Sequence, residues 1–75
     1  MREQILNLCA EILPQIDFEA SDSLVDDGIL DSISIVTLVS ELSLEFGITF
    51  DMNELEPENL NSIDAIVETV KRLQK

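Results

Sequence analysis

Residues 32–46, SISIVTLVSELSLEF, carry more apolar side chains than one buried helix face can use, and no other feature constrains the chain as much. On a wheel advancing about 100° per residue, Ile35, Leu38, Val39, Leu42 and Phe46 form one broad face. Ile33, Val36 and Leu44 gather on the other side with Thr37 and Ser40. The helix should open at Asp31 or Ser32 and close near Phe46, where Gly47 supplies the usual residue for leaving a helix. Such a helix is either sandwiched between neighbours or leaves an apolar strip for something outside the chain.

Two other segments ask for a single neighbour. From Arg2 to about Leu13, Ile5, Leu8, Cys9 and Ile12 recur at helical spacing, with Ile16 on the same stripe, and Pro14 should end or kink the helix. From about Ile63 to Leu73, the residues Ile63, Ile66, Val67, Val70 and Leu73 share one side. Asn61 or Ser62 caps this last helix, and Lys71, Arg72 and Lys75 complement its dipole at the other end. The connection GITFDMNELEPENLN has room for a helical turn after Pro57, with Ile48, Phe50, Leu55 and Leu60 as its anchors. The expected architecture is all-α: three main helices plus one short helix, in a single domain over residues 1–75, since a chain this short does not divide its core.

Residues 17–31, DFEASDSLVDDGILD, hold six acids and no base, and read as a long loop pinned by its apolar residues. Calcium is rejected on spacing. With Gly28 at the sixth position of an EF-hand loop, positions one, three and twelve fall on Ser23, Val25 and Ser34, which are not the required acids. Without histidine or a second cysteine, a structural zinc site and an internal disulfide are excluded, and Cys9 reads as a core residue in a reducing compartment. No apolar run approaches a membrane span, so a soluble cytoplasmic protein is expected. The net charge is −12, from sixteen acids against four bases, and no base stands between Arg2 and Lys71. Such a surface repels nucleic acid and anionic lipid and favours protein partners with a basic rim.

Ser32 admits three roles. It can serve with Asp31 in capping the helix. As a hydrolase nucleophile it lacks an activating base, because there is no histidine and the only lysines are Lys71 and Lys75. As an acceptor of phosphate it is well placed, since free amides and the positive end of the dipole favour an anion at a helix start. A group joined there would emerge beside Ile33, Val36 and Leu44.

These residues resemble a known family. DGILDSISIVTLVSELSLEFGI, residues 27–48, is similar to the modification site and second helix of acyl carrier proteins and the related peptidyl and D-alanyl carrier proteins. Asp31-Ser32-Ile33, Phe46-Gly47-Ile48, the 52–60 region and Ser62 to Leu73 match the family's order of motif, helix exit, short third helix and amphipathic fourth. The resemblance implies an acyl-carrier-like bundle in which Ser32 carries covalent 4′-phosphopantetheine, transferred from coenzyme A by a phosphopantetheinyl transferase. The arm's thiol would hold an acyl or aminoacyl group as a thioester. Asp31 would orient the transferase complex, and Ile33, Val36, Glu41 and Leu44 would dock on the basic surfaces of loading and accepting enzymes. The implied protein is a monomeric, non-enzymatic carrier with no catalytic or metal-ligating residues.

Ser34 stands where the fatty-acid carriers have an acid, and Ser40, Ser43 and Leu44 make the second helix less acidic than theirs. The DGILDS and ELEPENLNS segments look closer to D-alanyl and stand-alone aminoacyl carriers. Two competing readings stay open: a small acidic interaction or regulatory module without a prosthetic group, and a purely structural one that buries Ile33, Val36 and Leu44 in the core or in a homodimer.

Overall fold

The computed structural model describes residues 1–74. Four α-helices follow in order, α1 (Arg2–Ile12), α2 (Ser32–Phe46), α3 (Pro57–Leu60) and α4 (Ile63–Gln74), with a 3-10 turn at Met52–Glu54. The all-α expectation holds, with three long helices and one short one. Lys75, expected at the last helix's C-terminal end with Lys71 and Arg72, lies outside the described residues.

Each helix ends where local chemistry requires. The Leu13 amide still donates to the Cys9 carbonyl, and Pro14 then stops α1. Gly47 closes α2 in the left-handed region, at φ 62 and ψ 38, and its amide donates to the Ser43 carbonyl. Pro57 opens α3 at a first-turn position, where its missing N–H costs nothing. Of the two expected caps for α4, Ser62 takes the role: its Oγ accepts from the Ala65 amide at 3.0 Å.

The core is built from the stripes that periodicity marks. Ile5 and Cys9 of α1, Leu38 and Leu42 of α2, Leu60 of α3, and Ile63, Ile66, Val67 and Val70 of α4 are buried together with Leu24 and Leu30 from the loop before α2. Ile35, Val39 and Phe46 pack half-buried against them. Fully burying each such aliphatic side chain contributes about 1.5–3 kcal/mol over leaving it exposed. Two polar residues, Ser34 and Thr69, join this interior. The Thr69 hydroxyl donates to the Ala65 carbonyl at 2.9 Å, with the Asn59 carbonyl as a second acceptor at 3.2 Å.

One expected anchor fails. Leu55 is 36% exposed and Met52 87% exposed. Residues three apart eclipse one another on a 3-10 turn, so Met52 and Leu55 fall on the same outward side. Glu54 turns in instead, and its carboxylate meets the Arg72 guanidinium at 2.7 Å. Among the described residues, the other basic side chains are paired as well: Arg2 with Asp64 and Glu19, and Lys71 with Glu68. Among the described residues, no helix is long and apolar enough to cross a membrane.

Candidate functional site at the start of α2

The loop expected over residues 17–31 contains turns and no regular helix. Phe18, Leu24 and Leu30 are buried, so it lies on the core. Gly28 takes a positive φ of 78 within it, a conformation that side-chain-bearing residues resist. The loop delivers the chain to Asp31, which is extended at φ −88 and ψ −179 and forms the N-cap of α2.

Asp31 does the capping through two oxygens. Its Oδ1 accepts from the Ser34 amide at 2.8 Å, and its carbonyl accepts from the Ile35 amide at 2.9 Å. The Ser34 amide, with help from the Ser34 hydroxyl, holds the Asp31 carboxyl below the usual aspartate value. Ser32 is the first helical residue and is exposed. Among the described residues its hydroxyl takes part in no hydrogen bond, because its neighbour has the capping role.

Beside it runs the surplus apolar strip. Ile33 is 78% exposed, Val36 60% and Leu44 80%. This overturns the reading that buried them in the chain's own core: the buried face of α2 is already filled by Leu38 and Leu42, and the strip lies on the opposite side of the helix. At about 1.5 Å rise per residue, the strip extends roughly 16 Å from Ile33 to Leu44. Glu41 lies half-buried at its edge. Asp31, Ser32, Ile33 and Val36 are thus brought together at the mouth of α2, with Glu41 and Leu44 farther along.

Asn61 has a part at this end that its short-range sequence context does not reveal. Its Oδ1 accepts from the Val25 and Asp26 amides at 2.9 and 3.1 Å, and its Nδ2 donates to Asp26 Oδ2 at 3.1 Å. Its partners lie 35 and 36 residues away, beyond the reach of a capping rule.

A helical bundle that leaves a serine hydroxyl uncommitted at a helix start, flanked by an exposed apolar strip and an acidic loop, has the build of a small carrier domain. Residues 3–70 match the family described as phosphopantetheine attachment site. The chain is 35% identical over 74 residues to a D-alanyl carrier protein of Streptococcus suis, covering 97% of this chain and 94% of that protein. It is 42% identical over 53 residues to a D-alanyl carrier protein of Streptococcus uberis, covering 71% and 67%. Identity to a D-alanyl carrier protein of Lactobacillus delbrueckii subsp. bulgaricus is 32% over 76 residues, covering 99% and 94%. No solved structure matches the chain. The chain belongs to the phosphopantetheine-binding carrier protein family. It is a phosphopantetheine-dependent carrier, whose prosthetic group is covalently attached 4′-phosphopantetheine.

The residues at the mouth of α2 fit that group. A phosphodiester needs an accessible hydroxyl and tolerates the positive end of a helix dipole, and Ser32 offers both. The adjacent Asp31 carboxylate is held in place by its bond to the Ser34 amide.

Proposed function

We propose that Ser32 is the attachment point of the phosphopantetheine arm and that this carrier transports D-alanine. What carries the first part is the exposed Ser32 hydroxyl, which lies within the residues matched to the attachment family and is free of the capping bond that Asp31 makes. In the transfer, Ser32 Oγ bonds to the phosphorus on the pantetheine side of coenzyme A. The diphosphate bridge breaks, the nucleotide half leaves, and the hydroxyl proton passes to a base of the transferase. Asp31 orients the transferase complex from the position before the serine. When bound, the arm supplies a terminal thiol on which cargo rides as a thioester.

Ile33, Val36 and Leu44, with Glu41 beside them, form the docking strip for the transferase and for loading and accepting enzymes with basic surfaces. Carriers of this kind are typically non-catalytic, and we read this one, a single domain over residues 1–75, as a cytoplasmic monomer without an active site of its own.

One observation supports a small aminoacyl cargo: the relatives are named D-alanyl carrier proteins, and the match covers up to 94% of their length.

Incubating the apo-protein with coenzyme A and a broad-range transferase should add one phosphopantetheinyl mass, which Ser32→Ala abolishes. A D-alanine-activating ligase with ATP should then add one alanyl group, released by hydroxylamine, in preference to L-alanine or a fatty acid. An unchanged mass in the first step refutes the attachment site, and preferential acceptance of a fatty acid in the second refutes the cargo.

A further inference from the structure

Residues 17–30 contain no helix of their own, yet they deliver the chain to Ser32, so whatever fixes their course decides where that hydroxyl sits. Burial of Phe18, Leu24 and Leu30 holds them to the core without setting direction. The directional bonds converge on Asn61. Its carbonyl accepts from the Leu24 amide at 2.7 Å, and its side chain grips the Val25 and Asp26 amides and the Asp26 carboxylate. Leu24 passes the constraint on, for its carbonyl accepts from the Leu30 amide at 2.9 Å, and Leu30 adjoins the Asp31 cap. Among the described residues, every side-chain hydrogen bond between residues 17–30 and the rest of the chain is made by Asn61. A side-chain amide can accept two backbone hydrogens on its oxygen and donate to a carboxylate from its nitrogen at once. Since Ser62 already caps α4, the helix does not require Asn61 for that purpose.

We infer that Asn61 is a positioning residue for the modification of Ser32: through Leu24 and Leu30 it sets the approach of the chain to α2 and presents the hydroxyl to the transferase in one orientation. The inference rests on the reading of Ser32 as the attachment point. It concerns the rate of the chemical step and not docking, because the apolar strip on α2 is made without Asn61.

Transfer from coenzyme A by a broad-range transferase, with the whole apo-protein as the varied substrate, tests it. Asn61→Ala should lower kcat by about tenfold and change KM less than about twofold, since misplacing a nucleophile by about an ångström slows reaction without weakening distant contacts. Amide hydrogen exchange at Val25, Asp26 and Leu30 should quicken in the same variant. Combining Asp26→Asn with Asn61→Asp reverses the donor and acceptor of the side-chain pair while keeping an acceptor for both amides, and should return kcat to within about threefold of wild type.

A folded Asn61→Ala protein with faster exchange but wild-type kcat and KM overturns the inference. Should that variant lack the native helical circular dichroism, Asp26→Ala decides, because it removes only the partner of Nδ2. A fall in kcat of about threefold there supports the inference, and wild-type kcat beside faster exchange at Asp26 overturns it. A wild-type protein that takes up no phosphopantetheine overturns the Ser32 assignment and this inference with it, whereas normal wild-type transfer with indifferent Asn61 variants overturns this inference alone.

Discussion

The Asp31 carboxylate accepts a hydrogen bond from the Ser34 amide at 2.8 Å, so the residue before Ser32, and not Ser32 itself, closes the start of α2. Ser32→Ala should therefore abolish modification while changing unfolding free energy by less than about 0.5 kcal/mol, the range of a surface substitution that breaks no special contact. Urea denaturation of the two apo-proteins checks the second half. A large loss of stability would mean that the serine has a structural duty.

Capping and charge at Asp31 separate by substitution. Asp31→Ala removes the cap and should lower the thermal midpoint by a few degrees, whereas Asp31→Asn keeps a good capping side chain and should leave it nearly unchanged. Both should slow transfer to Ser32 if the carboxylate orients the transferase. Transfer at the wild-type rate by a folded Asp31→Asn protein would remove that role.

Acid should weaken the fold through two carboxylates. The Ser34 amide holds the Asp31 carboxyl down, and the bond from Arg72 does the same to Glu54. A group whose folded value is depressed contributes stability above its unfolded value, about 4 for these side chains, and loses it as pH falls through the folded value. Thermal midpoints should thus decline below about pH 4, and Asp31→Asn combined with Glu54→Gln should flatten that decline. A double variant with the wild-type slope would assign acid sensitivity to other carboxylates.

Leu42 and Leu44 are two residues apart on α2 and should behave as opposites. Leu42 is wholly buried, and truncation to alanine should cost about 2–5 kcal/mol, enough to threaten a domain of this size. Leu44→Ala should cost less than about 0.5 kcal/mol and raise the KM of partner enzymes. Equal destabilisation by the two would contradict the exposed strip.

Cys9 should be silent toward thiol reagents. Burial pushes its pKa up to about 12, so at pH 8 almost none is thiolate. A native apo-protein should show no fast-reacting thiol, one should appear in denaturant, and the holo-protein should show one fast thiol from its arm. Rapid labelling of native apo-protein would contradict the burial.

What was legible in the sequence was what repeats at short range. The stripes of α1 and α4 and the two faces of α2 follow from helical spacing, and Pro14, Gly47 and Pro57 mark ends by local backbone chemistry. The Asp31-Ser32 pair is equally local, although which of the two oxygens caps is settled only by the fold. Asn61 was hidden because its partners are remote in the chain, and a polar residue before a helix looks like a cap. Leu55 misled because hydropathy cannot see that a 3-10 turn aligns it with Met52 and turns Glu54 inward toward Arg72. Thr69 is buried without penalty because its own helix supplies an acceptor, a device that leaves no pattern.

Among the described residues, the cations at Arg2, Lys71 and Arg72 are each paired with acids of the same molecule, and the chain as a whole carries a net charge of −12. Two copies drifting together along their greasy strips would face mutual repulsion before those strips could touch, while an oppositely charged enzyme would be drawn in. The imbalance would thus shield the strip from a second copy and leave it open to a basic partner, a protection that concentrated salt should strip away.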